Sequence, residues 1–431
     1  MPRVGRGCSQ PVMSLRELSL FSRRDRTARR HRTSAVCEPA RPVNEFELPA
    51  EGILPAQWLR KAVAAGIISS ERPIPDKSYQ PASLDLRLGE TAHRLRCSFL
   101  PGPMPVVDRL REYEMGQVDL REGAILERNR PYLIPLLERL DLPDGLRAMA
   151  NPRSSTGRID VFTRVITDRG FTFDDVRAGY RGPLYLEVVP RSFTIKLKTG
   201  ISLNQLRLIH GTARCSDAEI TQLHARVPIL FDGGEPVRQE ELVVSRGLFL
   251  SLDMQGDANG SVGFRAKKNS RLLDLSAEYA HDPDDYWEPV RKEEGDRAVL
   301  EQEEFYLLLS REAVRIPPDY AAEMSAYEPT SGELRTHYAG FFDPGFGHST
   351  EEPVRGSRAA LEVRAHDVPF MVEDRQKVCK LAFERMVEAP DSLYGADVGS
   401  AYQGQTVTLS RHFRRPPPIV PPSFRTEFSG T

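Results

Sequence analysis

The sequence predicts a mainly β protein built from two tandem copies of one domain. Three observations carry this. Short apolar or alternating runs follow one another between turns, the pattern of many short strands. The 34 prolines and 31 glycines are spread along the chain rather than pooled in one linker. Turn and strand motifs also recur at one spacing. Asp168-Arg169-Gly170-Phe171 matches Asp343-Pro344-Gly345-Phe346, and Leu186-Glu187-Val188 matches Leu361-Glu362-Val363, both 175 positions apart. A turn and a strand displaced by the same distance point to duplication.

The elements follow in order. Residues 1–47 are rich in arginine and poor in apolar periodicity, which predicts a disordered basic extension. A first β domain covers 48–212, a connector 213–246 and a second β domain 247–414, with a Pro-rich disordered tail at 415–431. Trp58, Leu59, Val63 and Ile67 recur at helical spacing, so 52–70 reads as a helix. Residues 83–89 alternate polar and apolar, which predicts a half-buried strand ended by Gly89. Further strands are expected at 124–127, 132–136, 184–189, 194–197 and 206–209. A helical piece is expected near 217–224, and a second strand series from 247 to 387.

Composition excludes several classes. The 431 residues carry a net charge of −2, so the chain as a whole is no polyanion binder and no nucleic-acid partner is expected. No apolar run approaches membrane-spanning length, so no membrane partner is expected either. The five cysteines are scattered without a Cys-x-x-Cys pair or a His at zinc-ligand spacing. That argues for a reducing, cytoplasmic setting and against a zinc site.

The chemistry concentrates at residues 152–158. Arg153, Ser154, Ser155 and Arg158 put two guanidinium groups and two hydroxyls around Thr156 and the flexible Gly157. Guanidinium forks hold phosphate oxygens in two-point geometry, and hydroxyls can hold a second phosphate or a water. A plain polar turn is the competing reading. Glu187 and Glu362 each sit between apolar residues in a strand. Such a glutamate faces solvent by default, but half-buried it has a raised pKa and can act as a general base. Asp168 and Asp343 precede tight turns, where they cap the turn or bond a sugar hydroxyl. Tyr402, Gln403, Gly404 and Gln405 near the end suit a lid that closes on a ligand, or an inert tail.

Taken together, the Arg153-Ser154-Ser155-x-x-Arg158 loop, the Asp343-Pro344-Gly345-Phe346 turn, the Leu-Glu-Val strands and the Tyr402-Gln403-Gly404-Gln405 segment resemble the dCTP deaminases. That family shares its fold with the trimeric dUTP diphosphatases. Residues 81–89 resemble its early strand motif, and the similarity, over 48–413, is nearest to a duplicated long-chain bacterial form. The resemblance implies two dUTPase-like distorted β-barrels and zinc-independent hydrolysis of dCTP to dUTP and ammonia. It also implies Mg2+ carried on the triphosphate, possible feedback by dTTP, and a homo-oligomer.

The second half has Glu328-Pro329-Thr330-Ser331-Gly332-Glu333 where the first has its arginine loop. The resemblance therefore implies a composite site. Arg153, Ser154, Ser155 and Arg158 come from the first half, and Asp343, Glu362, Tyr402 and Gln405 from the second. Glu362 is the expected base, Glu187 the alternative base and Asp168 a further binding candidate. Two rivals stay open. One is a dUTP diphosphatase or bifunctional enzyme, although Arg177 and Gly179 flank Ala178 where that family has acids. The other is a non-catalytic nucleotide-binding regulator.

Overall fold

The computed structural model describes residues 46–324, 334–336, 340–348, 354–366, 368–395 and 408–414. All belong to one compact unit, 44–431. Residues 1–45, the tail from 415, Tyr402, Gln405 and the 328–333 segment lie outside the described residues.

The first half begins with a shorter helix than expected. Helix α1 spans Ala56–Ala64, and Gly66 with φ +80° turns the chain out of it. On either side the backbone finds strand partners: Gly52–Ile53 pairs with Ile209 and His210, and Ile68–Ser70 with Glu138 to Leu140. Strand β1 (Ser83–Arg87) is buried along its whole length rather than on one face. Its polar residues tolerate this because they are paired, Arg87 to Glu138 at 2.7 Å and Asp85 to Arg153 at 3.1 Å. Helix α2 (Val106–Tyr113) packs Val106 and Leu110 on Leu133, Ile166 and Tyr185.

The long strands of the first half are β2 (Tyr132–Asp141), β3 (Leu146–Pro152), β4 (Val161–Thr167), β5 (Arg181–Pro190) and β6 (Ser202–His210). Several run longer than the apolar runs that announced them. In one sheet β3 and β1 flank β6; in the other β4 and β2 flank β5. Their apolar faces form one large core.

The stretch expected as a connector is largely absorbed by the second half. Helix α3 (Asp217–Arg226) starts at a capping box of Ser216 and Glu219, and Leu230–Asp232 joins the second half's main sheet. That half carries strands β7 (Phe305–Val314), β8 (Tyr320–Met324), β9 (Ser357–Ala365) and β10 (Lys377–Arg385) around a second core.

The two halves repeat in detail. Glu187 of β5 lies opposite Leu133 of β2, and Glu362 of β9 lies opposite Leu307 of β7. The Tyr132 hydroxyl accepts from the Glu127 N–H at 3.2 Å, and the Tyr306 hydroxyl from the Glu301 N–H at 2.8 Å. The halves are also fused. Leu273–Asp274 adds a parallel strand to Ile195 and Lys196, and Phe413 packs edge-on against Trp287 within the first core.

Candidate active site

Strand β3 delivers the chain to Arg153, whose carbonyl accepts from the N–H groups of Thr156 at 2.8 Å and Gly157 at 3.0 Å. The single turn Ser154–Gly157 that results presents its side chains at the seam between the halves. Asp160, at φ 55°, then redirects the chain into β4.

The second half meets this turn with β9. Side chains two apart on a strand share a face, and Glu362 and Arg364 both point at the turn. Arg364 forms an ion pair with Asp160. The Glu362 carboxylate lies flat against Gly157. A Cβ on that glycine would fall 2.6 Å from Oε1 and 2.7 Å from Cδ, so only a hydrogen fits. Arg158 stands beside it, buried, with Nη1 donating to the Thr408 carbonyl at 3.1 Å. Burial pushes the Glu362 carboxyl from 4.5 up to about 8; the Arg158 charge pulls it down and the Asp160 charge pushes it further up.

Two adjoining cavities open here. The larger, about 600 Å3, takes Arg153, Ser154 and Ser155 from the first half and Asp343, Arg411 and His412 from the second. The smaller, about 50 Å3, is bordered by Arg158, Phe341, Phe342 and Glu362, and has room for a water. Arg153, Ser154, Asp343 and Tyr394 line both.

Asp343 is nearly fully buried and accepts from Arg207 Nη2 at 3.0 Å. Burial raises its pKa, and Arg207 opposes the rise. Arg207, wholly buried on β6, also donates to the Ala322 and Phe342 carbonyls at 3.1 Å and meets Glu384 at 3.4 Å. This cluster pins the two halves together beside the cavity.

The remaining sequence candidates lie elsewhere. Glu187 lines neither cavity: it is buried and takes two N–H bonds from Arg164, at 2.9 and 2.6 Å. Arg164 itself stacks on Phe173, 3.6 Å from the ring centre. Asp168 also lines neither cavity; its carboxylate accepts from the Val106 N–H at 2.8 Å, at the start of α2. It bonds neither its own turn, as the capping reading expected, nor a cavity, but the first N–H of α2. Tyr402 and Gln405 fall outside the described residues.

Asp85, Arg411 and His412 are among the cavity residues that escaped the sequence reading. Asp85 sits in the expected strand, but alternation reads as solvent exposure. In the fold it is fully buried, its pKa raised by burial to about 6 against the pull of Arg153. Arg411 and His412 follow the segment that the sequence suggested as a lid. Their signal was present as Ser410-Arg411-His412, a hydroxyl beside two basic groups. Ser410 Oγ donates to the Ser155 carbonyl at 2.9 Å, which docks this segment on the turn. Burial drives His412 from 6.5 down to about 3, so its ring is neutral near pH 7.

A cationic, hydroxyl-bearing turn facing a buried carboxyl group is an arrangement suited to enzymes of phosphorylated substrates. The family comparisons agree in kind. Residues 50–212 match the model of the 2'-deoxycytidine 5'-triphosphate deaminase N-terminal domain, and residues 216–413 that of its C-terminal domain. The chain belongs to the dCTP deaminase family and is an enzyme of that class. Over 161 residues it is 31% identical to a dCTP deaminase, dUMP-forming, of Sulfurihydrogenibium, covering 36% of this chain and 81% of the relative. Over 127 residues it is 32% identical to a dCTP deaminase of Natronomonas pharaonis, covering 28% and 60%. The crystal structure of 2'-deoxycytidine 5'-triphosphate deaminase from Agrobacterium tumefaciens superposes with a TM-score of 0.76 at 45% identity. That match covers 81% of this chain and 99% of the other. The dUTPase-like β fold expected from the sequence is consistent with this match.

Proposed function

We propose that the chain converts dCTP to dUTP and ammonia without zinc, at one composite site per chain, with Glu362 carrying the proton. The observation behind this is the Glu362 carboxyl of the second half pressed on Gly157 beside Arg158 of the first, at the end of the cationic cavity. The triphosphate lies along Arg153, Ser154 and Ser155, with Arg411 and neutral His412, docked on the same turn, also lining the cavity. The base reaches the Glu362 end, where Asp343 and Arg207 fix the wall. A water oxygen adds to C4 of cytosine, and its protons pass by way of Glu362 to N3 and the departing amine. The C4–N bond breaks, ammonia leaves, and C4 keeps the oxygen as a carbonyl. Arg158 and the Ser154 hydroxyl hold the water and the charge that develops on it. Tyr402 and Gln405 close over the nucleotide, and Glu187 keeps a structural role.

Mg2+ fits this reading on the nucleotide rather than in a protein cage. The cavity's guanidiniums and hydroxyls suit the triphosphate, its Asp85 and Asp343 carboxylates are taken up by Arg153 and Arg207, and among the described residues no three His, Cys, Asp or Glu side chains converge. When bound, it would neutralise phosphate charge. The two halves act as duplicated β domains with unequal duties. Feedback by dTTP, homo-oligomer assembly and a cytoplasmic setting complete the reading on the strength of the resemblance. No helix among the described residues is long and apolar enough to cross a membrane.

Incubating the enzyme with dCTP and Mg2+ tests the whole. The expected products are ammonia and dUTP. A second reading, release of dUMP, is favoured by the name of the Sulfurihydrogenibium relative; dUMP with diphosphate in place of dUTP would establish it. Ammonia release unchanged in Glu362→Gln would remove Glu362 as proton carrier.

A further inference from the structure

A third cavity, about 250 Å3, opens at the seam between the halves, and Arg364 is in its wall. Arg128 and Arg191 reach it from the first half, Lys267 and Lys268 from the second. Two carboxylates line it as well, Glu303 and Glu304. They neutralise only part of this charge. Lys268 is taken up by Glu304 at 2.6 Å, while Arg191 meets Glu303 loosely at 3.5 Å. Lys267 is bonded to a carbonyl, that of Asp284, and Arg128 uses its Nε on the Arg191 carbonyl. Among the described residues neither Arg128 nor Lys267 forms an ion pair, although the Glu288 charge reaches Lys267, and both sit half-buried, where a bound anion gains more than in open water.

We propose that this seam cavity binds a small phosphorylated anion, and that the bound anion slows deamination by drawing on Arg364. Arg128 and Arg191 supply guanidinium forks for phosphate oxygens, and Lys267 a point charge. Arg364 is the link to the reaction. It shares a face of β9 with Glu362, and its Nη2 is bonded to Asp160, whose charge acts on Glu362. An anion that engages Arg364 weakens its hold on Asp160 and leaves more negative charge facing Glu362, which then parts with its proton less readily. The binding claim stands by itself; the effect on rate rests on Glu362 as proton carrier.

Calorimetry of the full chain with inorganic pyrophosphate tests binding. Two binding events are expected. Arg153→Ala removes the one in the dCTP cavity, and Arg128→Ala/Lys267→Ala removes the other; Glu362→Gln keeps both. Ammonia release at saturating dCTP, with magnesium in excess, tests the effect. Pyrophosphate should lower kcat about fivefold, the low end of ordinary coupling between two sites, and leave kcat of Arg128→Ala/Lys267→Ala unchanged. If that double variant does not fold, Arg128→Gln replaces it and should weaken the same event. The proposal is overturned if only one event occurs in the unmodified chain, if the second survives these substitutions, or if it occurs without a change in kcat. Turnover retained by Glu362→Gln would instead sink the proton-carrier assignment and leave the binding result intact.

Discussion

Glu187 and Glu362 occupy the same register in two copies of one strand pair, opposite Leu133 and Leu307, but their neighbours differ. Glu187 has Arg164 directly across from it on β4 and is held by two charge-assisted bonds. Glu362 has a glycine at its face and an arginine beside it, and burial drives it up to about 8. The aspartates before the repeated turns diverge the same way. Asp168 caps α2, while Asp343 receives Arg207 from the other half. Even the turn phenylalanines part company: Phe171 is 70% exposed and Phe346 6%. A shared backbone position thus sets where a carboxylate points. Whether it is held in an ion pair or left as a buried carboxyl with a raised pKa is decided by what packs on it.

The sharpest test of this contrast exchanges each acid for its amide. Glu362→Gln should lower ammonia release about 10²- to 10⁴-fold, the ordinary worth of a proton-transfer group, with dCTP binding retained by calorimetry. Glu187→Gln should keep turnover and instead lose about 1–3 kcal/mol of stability in urea, as Arg164 loses its partner. The opposite pattern would exchange the roles of the two halves.

Gly157→Ala comes next. The added methyl would displace the Glu362 carboxylate, and misplacement by about 1 Å can cost about 10²-fold; kcat should fall on that scale while the protein stays folded by circular dichroism. Arg158→Ala should cost at least about tenfold in kcat. A rate like that of the unmodified enzyme would remove it from the site.

Acidity gives a finer probe. As the proposed proton acceptor Glu362 must be ionised, so kcat/KM of the unmodified enzyme should rise with pH, be half-maximal near 8 and level off above it. Stability should run the other way. The folded-state pKa lies above the usual 4.5, so the favourable contribution of this carboxyl is complete below 4.5 and is lost as pH climbs through 8. Glu362→Gln should therefore melt at a higher temperature than the unmodified enzyme at pH 8, with the gap closing towards pH 4.5. The smallest effect belongs to Asp168→Ala, about 1 kcal/mol for a lost helix cap, measured by urea denaturation with kcat unchanged.

Much of this was legible in the sequence because turns and strands of a duplicated domain repeat their punctuation. Gly-Phe turns and Leu-Glu-Val strands fixed the repeat. The loss of both arginines from the second half, with the family resemblance, made a site shared between halves the expectation. Alternation, however, reports the pleat of a strand and not what covers each face. That is why Asp85 and Arg87 read as half-exposed although both are buried, paired with Arg153 of the 154–157 turn and Glu138 of β2. Asp168 was ambiguous for a related reason: its partner, the start of α2, lies 62 residues away in the chain. The span 213–246 read as a connector because the sheet it joins is completed by residues far downstream.

The fusion of the halves by Leu273–Asp274, Arg207 and Phe413 has a kinetic consequence. Turn and carboxylate travel on one covalent chain, so their meeting is first order and their effective molarity is set by the fold. Diluting the enzyme should leave activity per molecule constant, where a site assembled from separate subunits would fade.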